Sequence, residues 1–80
     1  MKISYDTLAQ AVYIELEQRK VSKTKEFATE VFLDFDSKNK LIGIELLNPG
    51  TLTLKKIAKK FRKPELNKVH PRIMAQKAYA

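Results

Sequence analysis

The sequence predicts an α+β domain, a small antiparallel β-sheet of four to five strands made of hairpins and a meander, followed by a basic C-terminal α-helix. Three observations predict it. Residues 30–47, EVFLDFDSKNKLIGIELL, alternate apolar and polar side chains on both arms of one hairpin, the period that a pleated strand imposes. Residues 2–6 and 11–17 repeat that period of two. Beyond Pro49-Gly50 the apolar spacing changes to that of a helix.

The first strand is Lys2 to Asp6, with apolar Ile3 and Tyr5 between polar Lys2, Ser4 and Asp6. Thr7 to Gln10 reads as a turn, which Asp6 can close by accepting hydrogen bonds from amides two or three residues on. Ala11 to Glu17 reads as a second strand with Val12, Ile14 and Leu16 on one side. A helix over residues 7–18 competes, because Ala, Leu, Gln and Glu are good helix formers. The alternation and the β-formers Val12, Tyr13 and Ile14 decide for strand. Gln18 to Lys25 is polar and cationic and reads as an exposed connection, and a short third strand is placed near Thr24 to Ala28.

The central hairpin follows, with Lys38 and Asn39 at its tip and Asp36 opposite Leu41. That register puts Val31, Leu33 and Phe35 on one face opposite Leu46, Ile44 and Ile42, and leaves Phe32, Asp34 and Asp36 against Leu41, Gly43 and Glu45 on the other. A slip of one residue would turn every apolar side chain to the wrong face, so the pattern fixes the register. Asn39 suits a left-handed turn position, and Asn48-Pro49-Gly50 ends the sheet. Thr51 to Arg62 is the helix: Leu54, Ile57, Ala58 and Phe61 recur at i, i+3, i+4 and i+7. Thr51 or Thr53 caps it, cations crowd its C-terminal half where the helix dipole favours them, and Pro64 stops it. Glu65 to His70 reads as linker, and Pro71 can start a short helix reaching Lys77. The expected organisation is a sheet domain over 1–50, a basic amphipathic helix over 51–63 packed on or extending from it, and a partly flexible tail over 64–80.

Composition narrows the class. Eighty residues without a single cysteine exclude disulfide frameworks, thiolate nucleophiles and cysteine zinc sites, and fit a reducing cytoplasm. No apolar run reaches the roughly 18 residues that cross a bilayer, and the N-terminus lacks the apolar core of a signal peptide. A chain this short buries a modest core, so a homodimer that hides a sheet edge is a reasonable expectation. Charge is divided: residues 1–50 hold seven Lys/Arg and eight Asp/Glu, net −1, whereas residues 51–80 hold nine and one, net +8. Such asymmetry suggests a polyanionic partner such as nucleic acid, an acidic protein surface or anionic lipid, and a solvated helix face that keeps a small protein soluble is the alternative.

Asp34, Asp36 and Glu45 fall on the outer hairpin face, where carboxylates can hold a hard cation, yet a converging third group is missing and a solvated face with Asp36 shaping the turn is the expectation. Gly43 marks a bulge or a close approach of another backbone. His70 is the one histidine and has no soft ligand nearby in sequence. Tyr5, Tyr13 and Tyr79 can stack on bases, but Tyr5 and Tyr13 stand at strand spacing. Two glycines cannot build a phosphate loop. No metal, cofactor or catalytic constellation is expected, and the chain is not read as an enzyme. The candidate contact is the basic ridge of Lys55, Lys56, Lys59, Lys60, Arg62 and Lys63, able to meet several phosphates without reading sequence. Alternatively the helix presents Leu54, Ile57 and Phe61 to a partner's groove.

Met1-Lys2-Ile3-Ser4-Tyr5-Asp6, Ala11-Val12-Tyr13-Ile14-Glu15-Leu16, Val31-Phe32-Leu33-Asp34-Phe35-Asp36 and Leu41-Ile42-Gly43-Ile44-Glu45-Leu46-Leu47, in that order and spacing, resemble the YuzE-like family of small prokaryotic domains of unknown function. The resemblance spans about residues 1–48. Thr7 stands where the family usually has Pro, and Gln10 where it usually has Asp. The resemblance implies a compact antiparallel sheet with a small helical element, and it does not supply a catalytic site. Because members are sometimes associated with small RelE-like ribonuclease toxins, it implies an antitoxin-like protein partner for a toxin. The alternative is a nucleic-acid-binding protein that acts through the lysine-rich helix without a toxin.

Overall fold

The computed structural model describes residues 1–6, 8, 11–47 and 51–69. Five strands run in chain order as β1 (Lys2–Asp6), β2 (Ala11–Glu15), β3 (Lys23–Ala28), β4 (Val31–Phe35) and β5 (Leu41–Leu46), followed by helix α1 (Thr51–Lys60) and a 3-10 helix (Pro64–Lys68). The strands form one antiparallel sheet in the order β1-β2-β5-β4-β3. The α+β class is therefore the one read from the sequence. The chain divides into two compact units, Met1–Asn48 and Pro49–Ala80.

In the first unit β5 is the middle strand, and its composition follows from that position. Flanked on both sides, it buries Leu41, Ile42, Gly43, Ile44 and Leu46. The rows Ile3-Ile14-Ile44-Leu33 and Tyr5-Val12-Leu46-Val31 cross the sheet on one face, and every β2, β5 and β4 member of them is at most 3% exposed. Each such aliphatic side chain contributes roughly 1.5–3 kcal/mol by leaving water, which is what holds the register.

The central hairpin pairs Val31 with Leu46, Phe32 with Glu45, Leu33 with Ile44 and Asp34 with Gly43, as the alternation predicts. It then departs from the expected register. An extra residue on β5 puts Phe35 opposite Leu41 instead of Ile42, so Leu41, expected on the outer face, is buried at 3% exposure. The bulge has a physical purpose, since the Ile42 carbonyl it redirects accepts amide hydrogen bonds from Leu16 (2.8 Å) and Glu17 (3.3 Å) as β2 ends. The tip is a three-residue loop. The Asp36 amide donates to the Lys40 carbonyl and the Asn39 amide to the Asp36 carbonyl, each at 3.0 Å, with Asn39 left-handed at φ 66°. Asp36 Oδ1 accepts from the amides of Lys38 and Lys40, both at 2.9 Å. The Lys40 amide bond holds this carboxyl below the usual range, burial pushes the other way, and the Lys38 amide and the charges of Arg19 and Lys40 assist the lowering.

β3 occupies Lys23–Ala28, slightly longer than expected, and joins β4 through Thr29 and Glu30, the latter at φ 63°. Phe27 is an extra residue between the pairs Glu26–Phe32 and Ala28–Val31, a second bulge. β2 stops at Glu15, two residues before the expected end.

In the second unit α1 buries Leu54, Ile57 and Ala58, with Phe61 half-buried just beyond it. Helical structure ends at Lys60, short of the expected Arg62. The reason lies in the closing hydrogen bonds: the Phe61 amide donates to the Ile57 carbonyl and the Lys63 amide reaches the Ala58 carbonyl, each at 2.9 Å, around a left-handed Arg62 at φ 54°. That six-to-one bond is a Schellman cap, so the helix stops before Pro64. Pro64 instead opens the 3-10 helix, where a linker was expected, and Leu66 and Val69 are buried. Thr53 lies inside α1 and so does not cap it. The expectations for Thr7–Gln10 apart from Leu8, for Asn48-Pro49-Gly50, and for residues 70–80 with His70 and Tyr79 fall outside the described residues.

Two outcomes follow from these backbone positions. Glu30→Gly and Arg62→Gly each replace a side chain held at positive φ, and each is expected to stabilise the fold by about 0.5–1 kcal/mol, read as a higher urea midpoint. Asp36→Ala should weaken the acid limb of the stability curve. Its folded pKa is depressed, so its contribution is full above the ordinary carboxylate pKa of about 4 and is lost as pH falls through the folded value, a loss that the variant no longer shows in urea titrations across that range.

Candidate functional site

The face of the sheet opposite the aliphatic rows is polar and mostly acidic. Its register rows set Lys2 beside Glu15 and Gly43, Ser4 beside Tyr13 and Glu45, and Glu45 beside Phe32 and Glu26. Asp34 pairs with Gly43 on one side and Thr24 on the other. Glu15, Glu45 and Asp34 are half-buried and Glu26 is exposed.

Tyr13 organises the middle of this face. Its ring leaves β2, passes over Gly43 of β5, and its hydroxyl donates to Asp34 Oδ2 on β4 at 2.8 Å. Thr24 Oγ1 of β3 donates to the other carboxylate oxygen, Oδ1. Three strands, β2, β3 and β4, are thus linked through one carboxylate, with the Tyr13 ring crossing β5. The crossing requires glycine, because a Cβ at Gly43 would overlap the Tyr13 hydroxyl and lie 2.5 Å from Cζ. Gly43 therefore answers to a side chain, not to the approach of another backbone, and the bulge next to it falls at Ile42. Burial raises the Tyr13 pKa well above the usual tyrosine value, and the hydrogen bond to Asp34 and the charges of Asp34, Glu15 and Glu45 raise it further. The phenol stays a proton donor throughout the physiological range.

The three carboxylates singled out from the sequence are not brought together for one purpose. Asp34 is engaged by Tyr13 and Thr24, and Asp36 is engaged by the turn amides. Glu45 stands across from Phe32 and Tyr13. Among the described residues no group of three His, Cys, Asp or Glu is placed to hold a metal ion. Sequence reading missed the Tyr13–Asp34 link, whose one signal was a glycine opposite an aspartate inside a strand otherwise made mostly of Leu and Ile.

Lys55, Lys56, Lys59 and Lys60 are exposed on α1, opposite its buried stripe, over a helix about 15 Å long. Lys60 Nζ also lies 5.8 Å from the Phe61 ring centroid. Arg62 and Lys63 belong to the cap beyond the helix, Arg62 exposed and Lys63 half-buried, so the expected six-residue ridge is four lysines on the helix and two cations on the turn. No helix among the described residues is long and apolar enough to cross a membrane.

Gly43→Ala should expel the tyrosine ring and cost about 1–3 kcal/mol, the range for losing a part-buried hydrogen bond with its packing. In a Tyr13→Ala background the same substitution should become neutral or stabilising, since alanine suits a strand better than glycine does. This reversal of sign, read in a double-mutant cycle by urea unfolding, isolates the contact. In alkaline absorbance titrations of the folded chain, Tyr13→Phe should remove the tyrosinate signal that rises last.

No curated protein and no solved structure matches this chain. The profile of a protein family described as a protein of unknown function (DUF2283) matches residues 2–48, the part that contains all five strands, the Tyr13–Gly43–Asp34 contact and the Asp36 turn. The chain belongs to that family, DUF2283.

Proposed function

We propose that this protein is a non-catalytic, antitoxin-like binding protein, whose open sheet face takes a basic protein partner and whose lysine helix contacts nucleic acid. The observation that carries the proposal is the separation of charge. Glu15, Glu26, Glu45 and Asp34 share one face of the sheet unit, whereas Lys55, Lys56, Lys59 and Lys60 share the exposed face of α1. A small basic ribonuclease of the RelE-like kind complements the first surface and would be repelled by the second, which suits phosphates. The YuzE-like resemblance supports the same assignment. A non-catalytic role is supported by Asp34, the central carboxylate, having both oxygens occupied by neighbouring hydroxyls. A second reading, a nucleic-acid-binding protein without a toxin, is favoured by the lysine face alone.

Two experiments separate these readings. Co-expression with a neighbouring small basic nuclease should yield a complex that the double substitution Glu15→Lys and Glu45→Lys disrupts. Failure of every such partner to copurify would leave the second reading. Binding of the full chain to short duplex DNA and to RNA should fall about a hundredfold between roughly 50 and 200 mM salt if four phosphates are neutralised. Lys55→Gln with Lys59→Gln should reduce the log-log salt slope by about 2. Salt-independent binding, or none, would remove the nucleic-acid arm.

A further inference from the structure

We infer that the cleft between the connection over residues 17–22 and the tip of the central hairpin binds a phosphate group, free or carried by a small molecule such as a mononucleotide. The inference is independent of the toxin and nucleic-acid readings, which rest on the acidic sheet face and on α1.

Backbone hydrogen bonds build the cleft. Where the connection begins, the amides of Leu16 and Glu17 donate to the Ile42 carbonyl, and where it ends the Ser22 amide donates to the Phe35 carbonyl at 2.7 Å. Lys40 Nζ, from the hairpin tip, adds a third tie by donating to Glu17 Oε1 at 3.0 Å. The segment is thereby held along the tip, and two cavities of about 230 Å³ each open there. One is lined by Arg19, Lys20, Asp36, Ser37 and Lys38, the other by Lys20, Val21, Ser22 and Ser37, so Lys20 and Ser37 belong to both. Each is below the roughly 300–1,000 Å³ of sites for drug-sized ligands, which suits a phosphate group and a small carrier.

The lining has the chemistry of an anion site. Arg19, Lys20 and Lys38 stand against one carboxylate, that of Asp36. Asp36 is only 7% exposed, its Oδ1 accepts from the amides of Lys38 and Lys40, and it lines one of the two cavities. An anion centred on Lys20 and Ser37 therefore gains the cations without meeting that carboxylate directly. Among the described residues the ion pairs of this region are Lys40–Glu17 and Arg19–Glu17, the latter at 3.9 Å, and neither occupies Lys20 or Lys38. In the turn over residues 36–40 the amides of Asp36, Lys38, Asn39 and Lys40 all have acceptors, which leaves the Ser37 amide as the remaining donor. Two ammonium groups, a guanidinium, two serine hydroxyls and one amide are the donors that phosphate oxygens accept from, and the charged ones make the stronger bonds.

The test is a titration of the full chain with inorganic phosphate, with adenosine 5′-monophosphate and with adenosine, followed through its amide resonances by two-dimensional NMR. Phosphate and the monophosphate should move the Lys20, Ser22, Ser37 and Lys38 amides along saturating curves, and adenosine should leave them in place. Tighter binding of the monophosphate than of phosphate supports the site as one for a phosphorylated small molecule, and equal binding supports it as one for the free ion. Lys20→Gln with Lys38→Gln should weaken binding about tenfold or more, the size of a lost hydrogen bond between charged groups. Both side chains are exposed, and the spectrum itself reports that the variant is folded. Lys55→Gln with Lys59→Gln, on α1, should leave the affinity unchanged. Amides that do not respond overturn the inference, as does an affinity indifferent to the first pair of substitutions or abolished by the second.

Discussion

The passage of Tyr13 over Gly43 to Asp34 is the constraint on which the rest of the sheet depends. A tyrosine two strands away from its partner can be satisfied only if the strand between offers no side chain, and β5 offers Gly43 at that place. The cost is a glycine inside the central strand, where it weakens pairing and adds nothing to the core. The return is a partly buried hydrogen bond to a charged acceptor, a kind worth more than a neutral one, and an aromatic ring that covers β5 on its open side. Thr24 brings the edge strand β3 into the same carboxylate, so an otherwise exposed strand is tied to the interior of the sheet.

Around that contact, the molecule uses local backbone irregularity to keep its aliphatic face continuous. The bulge at Ile42 turns both Leu41 and Ile42 inward and frees a carbonyl to close the end of β2. Asp36 meets the amide donors that the three-residue loop leaves unpaired, which explains how a charged side chain can be only 7% exposed. Glu30, Asn39 and Arg62 each accept a left-handed conformation. Asparagine does so at small expense; glutamate and arginine do so because the hairpin and the helix cap leave no other geometry.

Charge divides along the same boundary as structure. The sheet unit is nearly neutral in sum but carries its acids on one face, and the second unit concentrates lysine on the exposed side of a short helix. One unit thus offers an acidic surface and the other a basic one.

The sequence by itself determined the strands of the central hairpin, four of its five register pairs, the aliphatic face and the helical stripe, because periods of 2 and 3.6 report directly which side of an element avoids water. It also made Asn39 legible as the left-handed turn residue and placed the lysines. Tertiary structure alone decided the Ile42 bulge, the Schellman cap at Arg62, the 3-10 turn after Pro64 and the meeting of Tyr13 with Asp34. Bulges and caps arise from backbone groups seeking partners, a demand that has no periodic signature. The tyrosine and the aspartate are twenty-one residues apart on strands that are not neighbours, and only the order β2-β5-β4 puts a glycine between them.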